Sequence, residues 1–217
     1  MMAAQDRPRI LYADSGPEPP YPLQMEGTVI SGFGRGSKEL GIPTANLPVD
    51  EAATTWIATA KSGVYFGYAS LALPPSHPDR HRHRSNPRAA ANAPPPSHPA
   101  PPPSTNDDNP LEKKEWQIYP MVMSIGYNPF YKNTVRSAEV HILHEFGGDF
   151  YDAPMRLLIL GFVREERDYS SLDALVNDIN VDCDVARQSL TRPAWTPREG
   201  VVGGASGDFD GAWLVRE

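Results

Sequence analysis

Gly32-Phe-Gly-Arg-Gly-Ser-Lys-Glu-Leu-Gly-Ile-Pro-Thr-Ala-Asn46 sets four glycines, two cations (Arg35 and Lys38) and two small oxygen donors (Thr44 and Asn46) within fifteen residues. Glycine lets backbone N–H groups approach an anion closely and turn at positive φ. Lys38 adds a point charge for phosphate, and Thr44 and Asn46 offer neutral oxygens to a hard cation. Pro43 fixes φ just before Thr44, which stiffens the backbone carrying both donors. The stretch reads as a nucleotide-phosphate and metal site. Neither common phosphate motif fits it. A dinucleotide fingerprint from Gly32 needs glycine where Ser37 stands, and a Walker loop needs Ser or Thr after the lysine, where Glu39 stands. The glycines by themselves are equally compatible with a flexible turn.

Outward from this stretch the chain is mostly short strands. Met25–Ile30 leads into the glycine run, and Thr54–Ala58 suits a helical turn. Gly63–Leu71 is dominated by β-branched and aromatic residues and predicts a strand, as do Trp116–Ile125 and Met155–Val163. Glu139 and His141 alternate with Val140 and Ile142, so a strand there puts a carboxylate and an imidazole on one face. Gly126–Asn133 and Phe146–Asp152 are glycine- and aromatic-rich loops. One helix is predicted, with Leu172, Leu175, Val176, Ile179, Cys183, Ala186 and Leu190 as its apolar stripe. Ser170 and Asp173 suit its N-terminal cap, Arg187 and Arg192 its C-terminal end, and Pro193 its stop. Cys183 reads as a small core residue. These elements predict a small antiparallel β-barrel with the helix outside, and loops at the barrel mouth forming the site.

The remainder predicts little structure. Residues 1–22 read as a flexible arm, 23–192 as the domain, and the Gly/Ser/Asp-rich 193–217 as a disordered tail that leaves Trp195 and Trp213 unexplained. Residues 74–115 hold 12 of the 24 prolines and four of the six histidines, and read as a low-complexity insertion between two strands. His77, His81, His83 and His98 match no metal-ligand spacing and read as part of a solvated loop. A net charge of −7 argues against nucleic acid as a partner. No apolar run has membrane-span length, the N-terminus lacks a signal-peptide pattern, and a single cysteine precludes an internal disulfide. A soluble intracellular chain, cytoplasmic and monomeric, is expected.

With Pro43-Thr-Ala-Asn46 at its end, the glycine run resembles the signature of riboflavin kinases. Ser124–Thr134, Ala138–Leu143 and Asp149–Tyr151 also resemble segments of that family, in the family's order. The resemblance spans roughly residues 25–192 apart from the insertion. It implies a six-stranded Greek-key barrel and a magnesium- or zinc-dependent enzyme that moves the ATP γ-phosphate to riboflavin, giving FMN. Residue by residue, it implies that Thr44 and Asn46 bind metal and that Gly32, Lys38, Thr44, Ile142, His144 and Tyr151 bind nucleotide. It makes Glu139 the catalytic base, and Arg164, Arg167 and Tyr169 flavin contacts. His141 reads instead as a packed or hydrogen-bonded histidine. The alternative is a non-catalytic flavin- or nucleotide-binding barrel. A bifunctional synthetase needs a further nucleotide-binding domain, for which neither the arm nor the tail has room.

Overall fold

The β-branched and aromatic run from Gly63 becomes the most enclosed strand of a six-stranded antiparallel sheet. In the computed structural model, residues 7–31, 41–80, 115–127, 136–204 and 206–217 are described. The strands are β1 (Leu23–Thr28), β2 (Ala45–Leu47), β3 (Gly63–Ala72), β4 (Trp116–Tyr127), β5 (Arg136–Ile142) and β6 (Pro154–Glu165). Their order is β1-β6-β3-β4-β5-β2, and a bridge between Ile30 and Asn46 joins the chain just after β1 to β2. The sheet thus curls into a Greek-key barrel. A 3₁₀ turn (Thr55–Ala58) precedes β3, in the segment expected to be helical.

Alternate residues of the long strands enter two different cores. Tyr65, Ala69 and Leu71 of β3, with Met121 and Met123 of β4 and Leu157 and Ile159 of β6, fill the barrel. Phe66 and Tyr68, with Val122, Leu158 and Leu160, face outward into a second apolar cluster. That cluster is covered by helix α1 (Leu172–Leu190) and by the C-terminal segment, including the short helix α2 (Ala212–Val215). Strands buried on both faces show near-continuous apolar runs, which is why β3 and β6 lack strict alternation.

Four expectations are corrected. Described residues 7–22 are a docked strap: Arg7 pairs with Asp178 and Asp182, the Leu11 amide donates to Ser189 Oγ, and Tyr12 packs on Phe66 and Trp195. The C-terminal segment is likewise ordered, with Trp195 and Leu214 fully buried, Trp195 donating to the Ala13 carbonyl, and Ser70 Oγ donating to the Leu214 carbonyl. The strap anchors chiefly through the Arg7 ion pairs and the Leu11 amide, and the C-terminal segment through Trp195 and Leu214; such isolated anchors carry no periodicity for sequence reading to detect. His77 is not solvated; it is 4% exposed. At the helix start, Ser171 rather than Ser170 is the cap, its Oγ accepting from the Ala174 amide at 3.2 Å. Asp173 and Arg187 occupy the first and last turns as the macrodipole favours.

β3 and β4 pair from Gly63 opposite Ile125 to Ala72 opposite Trp116, so residues 73–115 connect two neighbouring strands. No helix among the described residues is long and apolar enough to cross a membrane.

Candidate active site

β2 and β5 pair antiparallel with Asn46 directly opposite Glu139. Burial alternates in both strands. Ala45, Leu47, Ala138, Val140 and Ile142 point into the barrel, while Asn46, Ser137, Glu139 and His141 face out. The register extends this outer row across the sheet. Glu139 lies opposite Ser124 of β4, Ser124 opposite Val64 of β3, and Val64 opposite Arg164 of β6. At a strand spacing of about 4.8 Å, Glu139 and Arg164 stand about 14 Å apart along the row.

Beside this row lies a cleft of about 730 Å³. Ile42 to Ala45 form one side, the outgoing end of β5 and residues 143–151 another, and Asn180, Cys183 and Arg187 of α1 close it. Thr44, Ile142, His144 and Tyr151 all line it. The structure therefore brings together the described residues expected to bind nucleotide, and sets the Asn46–Glu139 pair next to them. The loop of residues 143–151 after β5 lines the cleft, whereas Asn46 and Glu139 stand on the outer wall of the sheet. Gly32 and Lys38 lie outside the described residues, as does all of Asn128–Thr134.

The electrostatics follow from burial. Desolvation pushes the Glu139 carboxyl above the usual carboxylate range. Desolvation also lowers the His141 imidazole, and the Arg187 guanidinium adds to this against the opposing hydrogen bond to Pro43. That bond joins His141 Nδ1 to the Pro43 carbonyl at 2.8 Å and ties β5 to the backbone preceding Thr44. His141 is thus a hydrogen-bonded histidine, as its position suggested. Burial pushes the Cys183 thiol up to about 11, so it is un-ionised and unreactive near neutrality.

Arg164, Arg167 and Tyr169 do not line the cleft; they converge on α1. Arg164 Nη2 donates to Asp182 at 2.7 Å, Arg167 Nη1 to Asp178 at 3.1 Å, and the Tyr169 hydroxyl to Asp178 at 2.7 Å. Burial alone would raise the Asp178 carboxyl. The Tyr169 hydroxyl with Arg164, Arg7 and Arg167 outweighs it and holds Asp178 below the ordinary range. The arginine fork suits such shared carboxylates. Sequence reading missed this network, although Asp178 and Asp182 stand four apart, on one helix face. It also missed the helix wall of the cleft, whose residues have no motif.

The riboflavin kinase family model matches residues 19–190. Riboflavin kinase of Pyricularia oryzae is 58% identical over 98% of this chain and 96% of its own length. That of Neurospora crassa is 52% identical over 97% of each. Among solved structures, riboflavin kinase from Trypanosoma brucei superposes with a TM-score of 0.52 at 25% identity, over 81% of this chain and 84% of its own. With the Thr-Ala-Asn end of the signature and the acid strand paired on one wall of a Greek-key barrel, the chain belongs to the riboflavin kinase family.

Proposed function

We propose that the cleft holds ATP, that the outer row holds riboflavin, and that transfer takes place at the Asn46–Glu139 pair. The reaction is ATP-dependent phosphorylation of the ribityl 5′-hydroxyl of riboflavin, giving FMN and ADP. The register placing Asn46 opposite Glu139 carries this assignment of roles. Phosphoryl transfer needs charge neutralisation at the phosphates and a group that aims the attacking hydroxyl. The strand pair supports this reading by setting an acid that can aim the hydroxyl beside an oxygen donor for a charge-neutralising ion.

Glu139 orients the 5′-hydroxyl and accepts its proton. Its desolvation makes it a better acceptor near neutral pH than a solvated carboxylate. Thr44 and Asn46 fit a hard divalent ion, because both offer neutral oxygens and Asn46 stands beside the acid. Two such donors would hold an ion, Mg²⁺ or Zn²⁺, only weakly by themselves, so the ion would bind together with the nucleotide. A bound ion would supply charge neutralisation at the phosphates, with Thr44 and Asn46 as its protein donors. Gly32 and Lys38 serve the phosphates, and Ile142, His144 and Tyr151 pack the adenosine end. Arg164, Arg167 and Tyr169 stand at the flavin end of the row. Arg167 and Tyr169 are exposed enough to meet the ring system, whereas the buried Arg164 braces them through α1. Three strand spacings, about 14 Å, accommodate an extended ribityl chain and its ring.

A non-catalytic flavin- or nucleotide-binding barrel has no use for a desolvated acid beside two oxygen donors. The test incubates purified protein with riboflavin, ATP and Mg²⁺ and resolves FMN by chromatography. Glu139→Gln is expected to keep binding of both substrates while kcat drops on the order of 10²–10⁴-fold. A near-normal kcat removes Glu139 from the mechanism.

A further inference from the structure

The residues just after β3 open the proline-rich stretch, yet two of them are among the most enclosed polar side chains in the molecule. His77 is 4% and Asp79 1% exposed. Two successive turns hold them: the His77 amide donates to the Pro74 carbonyl, and the Arg80 amide to the His77 carbonyl. Asp79 Oδ2 accepts the Gly147 amide at 2.7 Å, and His77 Nε2 lies 3.2 Å from the Gly148 carbonyl. His77 Nδ1 accepts the Asp79 amide at 3.2 Å, so Nε2 is the nitrogen that donates to Gly148. The Pro78 ring covers the same spot, and a Cβ built on Gly147 would meet its Cγ at 3.2 Å.

Gly147 and Gly148 form part of the cleft wall. Adjacent glycines have the widest choice of conformations, so their position must be imposed from outside. His77 also stands edge-on to Phe146 and Phe150, at 6.2 and 6.3 Å between ring centres. Phe146 in turn packs on His144 at 4.8 Å. A buried carboxylate needs charge-assisted partners, and here one partner is the backbone of the wall itself.

We propose that His77 and Asp79 are positioning residues for nucleotide binding, a clamp that fixes the Phe146–Phe150 wall. The proposal rests on the assignment of the cleft to the nucleotide. The clamp touches neither the Glu139 row nor the flavin end, so its loss has a selective signature.

The test is steady-state kinetics with each substrate varied in turn, on variants whose folding is checked by thermal melting. Asp79→Ala should raise KM for ATP on the order of ten-fold and leave KM for riboflavin within about two-fold. Asp79→Asn, which keeps an oxygen for the Gly147 amide, should restore most of the ATP affinity. Should Asp79→Ala not fold, His77→Phe keeps the ring contacts, removes the bond to Gly148, and carries the same readout. An unmoved ATP KM, or equal rises for both substrates, overturns the clamp. His144→Ala and Tyr151→Ala separate the two readings. If they raise ATP KM and the clamp variants do not, the clamp alone falls. If neither pair moves it, the nucleotide assignment falls and takes the clamp with it.

Discussion

Glu139 opposes folding for the same reason that it suits the proton transfer proposed for it. Its folded-state pKa is raised by desolvation above its unfolded value. The folded chain therefore holds that proton more tightly, and stability is lost as pH rises through the raised value. Glu139→Gln should melt at a higher temperature than the parent near pH 7 to 8, with the gap closing below about pH 4. Thermal melts across that range check the sign, and a variant less stable at neutral pH contradicts it. The same substitution should abolish the acidic limb of the kcat profile. At this scale sequence reading depended on how local the signal was. Asn46 and Glu139 were legible because motif and strand alternation agree. Their direct opposition was not, because register depends on pairing that strand composition does not specify. His77 and Asp79 were hidden by the prolines around them; composition weighs a whole window, and two anchoring residues cannot outweigh it.

At the scale of elements, α1 does more than cover the sheet. Asp178 and Asp182 sit on its buried face and receive Arg7 from the strap, Arg164 from β6, and Arg167 and Tyr169 from the connecting loop. Removing one member of such a buried set leaves an opposite charge without compensation. Asp182→Ala should destabilise the protein by about 3–5 kcal/mol, measured by urea denaturation. A loss near zero would mean that Asp178 alone satisfies Arg164. The pH sense is opposite to that of Glu139. Asp178 is held below the ordinary carboxylate range, so its contribution is full above that range and is lost as acid approaches the lowered value. The helix itself was legible from its apolar stripe, though Leu172 at the start of that stripe is 64% exposed. The last three turns carry most of the burial instead. The strands were legible from β-branched and aromatic runs, while the strap and the C-terminal segment were not, since each is held by single anchors such as Tyr12, Trp195 and Leu214.

For the whole molecule, the long connection between β3 and β4 has two unlike parts. Its first residues clamp the cleft wall. Its two described ends come back together, with Arg80 facing Glu115 and Gln117 Nε2 donating to the Asp79 carbonyl. Replacing residues 81–114 by a short linker should therefore leave kcat and both KM values within about two-fold, since loop closure entropy changes only slowly with length. Replacing 74–115 removes His77 and Asp79 as well, and should raise KM for ATP. If both deletions behave alike in the FMN assay, the division at Arg80 is wrong.

The row from Asn46 to Arg164 exists only through backbone pairing, and Asn46, Glu139 and Ser124 each alternate with residues that fill the barrel. Sliding β5 by a single residue would turn Glu139 inward and Val140 outward at once. With Glu139 in its proposed role, a misaligned chain would be both unstable and inert, and turnover per molecule would report how many barrels closed in the right alignment.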